Sequence, residues 1–182
     1  MALPFNIDTF KSKLINGGVR PNQFSVYFTF PAAVLAAVPG GDQLQASGTY
    51  LTTVAELPGQ TIGVAPVYYR GREIKLAGDK TFAPFTCTIL NDTNFLLRKG
   101  MEQWMSLIEN NITKQGLNNP INYQNRIDII QLDRTGTALR SYRLEGAFPV
   151  DISPINLDFG ANDQLSSFQA TFQYQDFQIF TG

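Results

Sequence analysis

The chain has 182 residues, 43% of them hydrophobic and 12% aromatic, a content that excludes a disordered polymer and suits one domain with a real core. Lys and Arg number 14 against 15 Asp and Glu, a net charge of −1, which argues against a dedicated nucleic-acid binder with its basic surplus. There is no His and a single Cys, so the commonest general base, a Cys cluster for zinc and an intrachain disulfide are all excluded.

The N-terminal stretch MALPFNIDTF lacks the basic head and apolar run of a signal peptide. No apolar run nears the ~20 residues of a membrane helix, so a soluble chain made in a cytoplasm, with no membrane anchor, is expected. Residues 1–20 form a helical segment in this reading. Asn6 to Asn16 carries Ile7, Phe10 and Leu14 on one face and stops at Gly17-Gly18. Phe24, Val26, Phe28 and Phe30 then alternate with Ser25, Tyr27 and Thr29, the pattern of a half-buried strand. Residues 31–48, rich in Ala, Gly and Pro, read as an inserted loop with one helical turn. TYLTTVAEL reads as a strand ended by Pro58-Gly59.

The next stretch, VAPVYYRG and REIKLAG, reads as two strands or one long bent ribbon leading to GDKT. Its glycines raise the question of a phosphate-cradling loop. That loop needs four residues between its glycines and a Lys directly after the second. Here six separate Gly71 from Gly78, and Asp79 stands before Lys80, where its carboxylate would repel phosphate. The expectation is a tight turn over Gly78, Asp79 and Lys80, with Gly78 at positive φ.

PFTCTILN alternates Phe85, Cys87 and Ile89 against Thr86 and Thr88, which makes Cys87 a buried small hydrophobe. Asn94 to Asn110 places Phe95, Leu97, Met101, Trp104, Met105 and Ile108 at helical spacing. Leu97, Met101, Trp104 and Ile108 are its expected core side, packed on the sheet. RIDIIQLD and ALRSYRLEG flank a hairpin turn at Arg134–Thr137. A loop with Pro149 and Pro154 precedes a long last strand, SSFQATFQYQDFQIF. Its Phe168, Ala170, Phe172 and Tyr174 alternate with Ser167, Gln169, Thr171, Gln173 and Gln175.

The sum is a mainly β protein of one domain, residues 1–182: an antiparallel β sandwich or partly rolled barrel with one main α-helix packed on it. The Asp residues are scattered beside turns and form no catalytic constellation; no catalytic, metal or cofactor site is expected. Charged residues are only 16%, against about 25% in soluble domains. Sparse charge on strand edges points to edges paired with neighbouring subunits.

GREIKLAGDKTF, followed by TCTILND and an amphipathic helix, resembles the tail tube proteins of contractile-tailed bacteriophages. GGVRPNQFSV and ELPG upstream, and LEGAFPVDISPINLDFGANDQLSSFQATFQYQDF downstream, are similar to the same family in the same order. The resemblance implies hexameric rings whose strands join into a continuous barrel and stack into a tube. Such a tube conducts genomic DNA and is driven through the host envelope when a sheath contracts. Implied partners are the chain itself, the tail sheath protein, and baseplate hub and tail terminator proteins. The implied location is the virion tail, assembled in the host cytoplasm. It also implies that Gly78, Asp79 and Lys80 serve assembly. Gln169, Thr171, Gln173, Thr86 and Thr88 are candidates to line the lumen. The alternative within the superfamily is the inner tube of a contractile injection system or secretion tube; outside it, a small β-barrel binding protein or enzyme that stays monomeric.

Overall fold

A computed structural model describes residues 6–14, 18–110 and 113–181. In chain order the elements are α1 (Ile7–Lys13), β1 (Phe24–Phe28), α2 (Ala32–Ala37), α3 (Gly41–Leu51), β2 (Thr52–Ala55), β3 (Gln60–Tyr69) and β4 (Arg72–Phe82). They continue with β5 (Phe85–Leu90), α4 (Leu96–Ile108), β6 (Asn125–Leu132), β7 (Ala138–Ile152), β8 (Ser167–Gln173) and β9 (Asp176–Thr181). Residues 1–5 and 15–17 of the predicted N-terminal helical segment lie outside the described residues.

One seven-stranded antiparallel sheet runs β1-β6-β7-β8-β5-β2, with β9 added to β7. The 15-residue β7 makes this topology possible. Its first half lies between β6 and β9, and its second half pairs with β8. The strand breaks step at Gly146, where φ is +66°. The predicted last strand breaks beside it into β8 and β9, and the N–H of Gln175 donates to Glu145. The sheet thus folds over on itself. Phe28 of β1 stacks on Phe172 of β8 at 5.7 Å between ring centroids, so the two halves share one core.

That core follows from alternation. Val26 and Phe28, Ile127 and Ile129, Phe85, Cys87 and Ile89, and Phe168, Ala170 and Phe172 are all buried. Each such aliphatic or aromatic side chain contributes about 1.5–3 kcal/mol on burial. α4 closes one side with Leu97, Met101 and Trp104 buried and Ile108 half-buried. Trp104 packs against Phe30 at 5.4 Å and Phe172 at 6.2 Å.

Residues 31–48 are not the loop expected. They hold α2 and most of α3, which bury Val34, Val38 and Leu44. α3 continues to Leu51, so the strand read over TYLTTVAEL shrinks to Thr52–Ala55. Gly100 explains how α3 and α4 meet: a Cβ there would stand 2.6 Å from Leu44 Cδ2. The helix tolerates a propensity cost of about 1 kcal/mol at Gly100 because any larger residue would push Leu44 away. Pro149 lies inside β7 and not in a loop; it sits at a register shift, where β7 carries an extra residue opposite β8.

Candidate assembly surface

β3 and β4 pair only with each other. Every residue of β3 is exposed, as is every residue of β4 but Phe82. The hairpin is an arm with no core of its own. It turns at Arg70 (φ 47°) and Gly71 (φ 81°), the two consecutive positive φ values of the tightest hairpin turn. Ala65, Val67 and Tyr69 stand across from Leu76, Ile74 and Arg72, giving one largely apolar face. Ile62, Val64, Val67, Tyr68, Tyr69, Ile74 and Leu76 are all exposed. So much apolar surface on one segment marks an interaction site.

The turn predicted at Gly78, Asp79 and Lys80 does not exist. These residues lie within β4, and Gly78 does not have positive φ. The register jumps from Ile62↔Lys80 to Val64↔Ala77, so Gly78 and Asp79 together oppose Gly63. That is a β-bulge, which twists the arm. Gly78 is small for a different reason: a Cβ there would approach the Gly63 carbonyl carbon and oxygen at 3.1 Å. Lys80 lies flat over the arm's base, its Nζ 5.0 Å from the Phe82 ring and 5.8 Å from Phe177. Phe82 in turn packs edge-on to Phe177 at 5.5 Å and against Tyr174 at 5.8 Å. The buried Tyr174 hydroxyl has no hydrogen-bond partner within the described residues, and burial raises its pKa.

The five polar strand residues do share one surface. Thr86 is paired with Thr171 and Thr88 with Gln169 on adjacent β5 and β8, while Gln173 sits opposite Phe148. The reverse side of the same strands is the core, as the alternation required. No Lys or Arg falls on β5 or β8. The outer side of β6 and β7 differs. There Asp128 accepts from Arg143 at 2.7 Å and lies 3.7 Å from Arg126.

Sequence reasoning missed a second apolar exposure. The loop after β7 presents Leu157, Phe159 and Leu165 almost fully to solvent. α1 likewise buries nothing: Ile7, Phe10 and Leu14 are exposed. The 3.6-residue spacing that identified the face of α1 could not show that this face is exposed among the described residues.

Among the described residues, no group of three or more His, Cys, Asp or Glu side chains converges to hold a metal ion. Burial pushes the Cys87 thiol up to about 12, with a weak opposing bond to the Ala170 carbonyl, so the nucleophilic thiolate is suppressed. Among the described residues, no helix is long and apolar enough to cross a membrane.

A family profile described as phage tail tube protein matches residues 19–180. The tail tube protein of Serratia phage KSP90 is 25% identical over 170 residues, covering 92% of this chain and 93% of its own length. Tail tube protein gp19 of Enterobacteria phage T4 is 24% identical over 153 residues, 84% and 86% of the two chains. Among solved structures, a chain of the anti-feeding prophage baseplate superposes with a TM-score of 0.59 at 17% identity, covering 88% of this chain and 93% of that one. A chain of the sheath–tube complex of an extracellular contractile injection system, in its extended state, gives 0.57 at 14% identity, with coverages of 94% and 97%. These structural likenesses concern the fold.

Proposed function

This chain belongs to the phage tail tube protein family, and from that membership we propose that its copies close into hexameric rings, stack into a hollow tube and conduct DNA. The family is structural, and the chain acts as a building block without catalysis or cofactor. The observation that carries the reading is the β3–β4 arm: ten and eleven residues long, rich in apolar side chains, and exposed along its length except for Phe82 at its base. An isolated two-stranded hairpin is marginal in water, so a neighbouring copy is its natural support. The end strands β1, β2 and β9 each have one paired edge, and joining them between subunits extends the sheet around a ring.

In the tube, the face of Thr86, Thr88, Gln169, Thr171 and Gln173 lines the channel. Its hydroxyls and amides offer no ammonium to grip a moving phosphate backbone, since each basic contact adds attraction that must be broken. The Gly78–Asp79 bulge and Lys80 set the arm's twist for its neighbour. Outside the tube the partners are a contractile sheath, and at its ends baseplate and terminator proteins; the working place is the virion tail. A tube that carries protein effectors in an injection particle shares this fold. The sequence relatives named above are phage proteins, and they favour the DNA conduit.

Negative-stain microscopy of the purified chain at high concentration tests the reading. Rings or tubes are expected. A monodisperse monomer at every salt and concentration, with sheath and baseplate proteins added as well, overturns it.

A further inference from the structure

The tip of the β3–β4 arm sets two basic side chains around an open turn. Arg70 and Gly71 form the turn at φ 47° and 81°, and Arg72 follows. Both arginines are exposed. A Cβ on Gly71 would meet nothing within 4 Å, so the turn stands clear of the rest of the subunit. Arg70 leans on its own strand, 5.4 Å from the Tyr69 ring.

Exposed tips that open at little cost are where endopeptidases cut. A protease cleft takes its substrate as an extended segment, so a hairpin must first open, and cleavage follows the open population. Opening this tip parts Tyr69 from Arg72, Tyr68 from Glu73 and Val67 from Ile74. None of these is buried, so no core is lost. Other basic positions differ. Exposing the bond after Arg134 strips Gln131 from the carbonyls of Arg20 and Gln23, and the Leu132 N–H from Gln23. Lys75 and Lys80 lie deeper in the arm's ladder, opposite Pro66 and Ile62. The bond after Arg20 leads into Pro21, whose ring fixes φ and removes the N–H.

The fold can spare this bond. A cut there leaves β1, α2, α3 and β2 on one fragment, and β5 to β9 with α4 on the other. Across it β1 stays paired with β6 and β2 with β5. Phe28 stays stacked on Phe172, and Phe30 on Trp104, so the fragments hold together through the whole core. The arm fares differently. Its remaining anchor is at the base, where Phe82 packs on Phe177 and Tyr174. Without the turn its tip becomes two free ends, and holding them in register costs chain entropy that no buried contact offsets.

We propose that Arg70-Gly71-Arg72 is a cleavage site for endopeptidases of the trypsin class, whose acidic pocket takes a guanidinium, and that the cut removes a subunit from assembly while its body stays folded. Hydrolysis breaks the C–N bond between Arg70 and Gly71. Water gives its hydroxyl to the Arg70 carbonyl carbon and its proton to the Gly71 nitrogen, and no other reactant is needed. The effect on assembly rests on the tube reading, in which a neighbouring copy covers the arm. Assembled subunits are then shielded and stray ones are disabled.

The test is brief trypsin treatment of the dispersed full-length subunit, read by mass spectrometry and gel filtration. Fragments ending at Arg70 or Arg72 are expected to be the first that divide the body. They are expected to elute together at the parent's volume and to melt at the parent's temperature. The nicked protein is expected to give at least fivefold less pelletable tube than a mock-treated sample, and preformed tubes to be nicked at least tenfold more slowly than free subunits. Arg70→Asn with Arg72→Gln removes both bonds and places an Asn before Gly71, a pair suited to this turn. This variant is expected to resist the cut and to keep its tube yield after treatment. It also separates the arm from α1, where Lys11 and Lys13 offer trypsin an exposed helix: an equal loss of tube by the variant puts the effect at α1 and overturns the proposal. So does a body first divided after Arg134, fragments that come apart, nicked subunits that assemble normally, or tubes nicked as fast as free subunits. A mock-treated parent that forms no rings or tubes overturns the tube reading and the effect on assembly with it, whereas the cleavage site is judged by the fragments alone.

Discussion

The indole Nε1 of Trp104 donates to the backbone carbonyl of Tyr123 at 2.6 Å, tying α4 to the segment that enters β6. The same ring packs against Phe30 and Phe172, so one side chain joins a helix, the segment just past β1 and the far end of β8. Trp104→Ala is expected to lower stability by about 3–5 kcal/mol. Trp104→Phe keeps most of the ring but strips the Tyr123 carbonyl of its donor, for about 1–3 kcal/mol. Urea unfolding of the unassembled protein measures both. A Trp104→Ala chain as stable as the parent would show that the ring does not anchor this core.

Gly78→Val pushes a Cβ against the Gly63 carbonyl and distorts the bulge. Because the arm contributes no fully buried residue, the melting of the unassembled subunit is expected to shift by no more than the ~0.5 kcal/mol typical of surface changes. Tube yield by sedimentation is expected to collapse. A large loss of subunit stability would mean that the arm is part of the fold; intact tubes would mean that it is not part of the assembly. Lys80→Ala leaves the protein without ATP binding, as the parent is, because its Nζ lies on aromatic rings and not in a phosphate nest. Saturable ATP binding by the parent refutes that statement.

Gln169→Lys with Gln173→Lys places two ammonium groups on the proposed channel face of every subunit. Tubes are expected to form normally while DNA ejection slows, more at low salt than high, since phosphate attraction is screened by counterions. Particles that carry the lysines and eject at the parent rate put this strand face outside the channel.

Cys87 gives a pH signature. Burial raises the folded thiol from 9.0 to about 12, so the native state holds its proton where the unfolded chain releases it. The corresponding stability is complete below pH 9 and declines as pH rises from there toward 12. Cys87→Ala is expected to flatten that part of the decline. At pH 8 a maleimide should label the unfolded parent rapidly and the native one very slowly. Rapid native labelling would contradict the burial.

Much of the fold could be read along the chain wherever burial alternates. Val26 and Phe28, Cys87 and Ile89, and Ala170 and Phe172 each sit between solvent-side neighbours, and the Leu97–Met101–Trp104 spacing of α4 is as plain. α2 and α3 escaped because their helicity comes from tertiary contact. Glycines at 41 and 48 lower local propensity, yet Gly48 lets Phe28 pack against the helix; a Cβ there would lie 2.6 Å from its ring. The arm's turn was assigned to Gly78 because a glycine beside Asp and Lys is a strong turn signal. The actual turn, Arg70-Gly71, puts an arginine at positive φ, which composition disfavours. The polar face of β5 and β8 was legible as a face. Its neighbours in an assembly were not, because period-2 patterning separates inside from outside but does not distinguish one outside from another.

An arm exposed along nearly its whole length also shapes the kinetics of the proposed tube's growth. A free subunit gains little by holding β3 and β4 in order, so the first few copies to meet must do that ordering with few contacts in return. A copy arriving at an existing end finds the receiving surface already formed. In the proposed tube, initiation is therefore expected to be slow and elongation fast, with a lag, a threshold concentration below which subunits remain dispersed, and abolition of the lag by preformed fragments. Such a subunit can accumulate harmlessly until something that presents a finished ring starts the polymer.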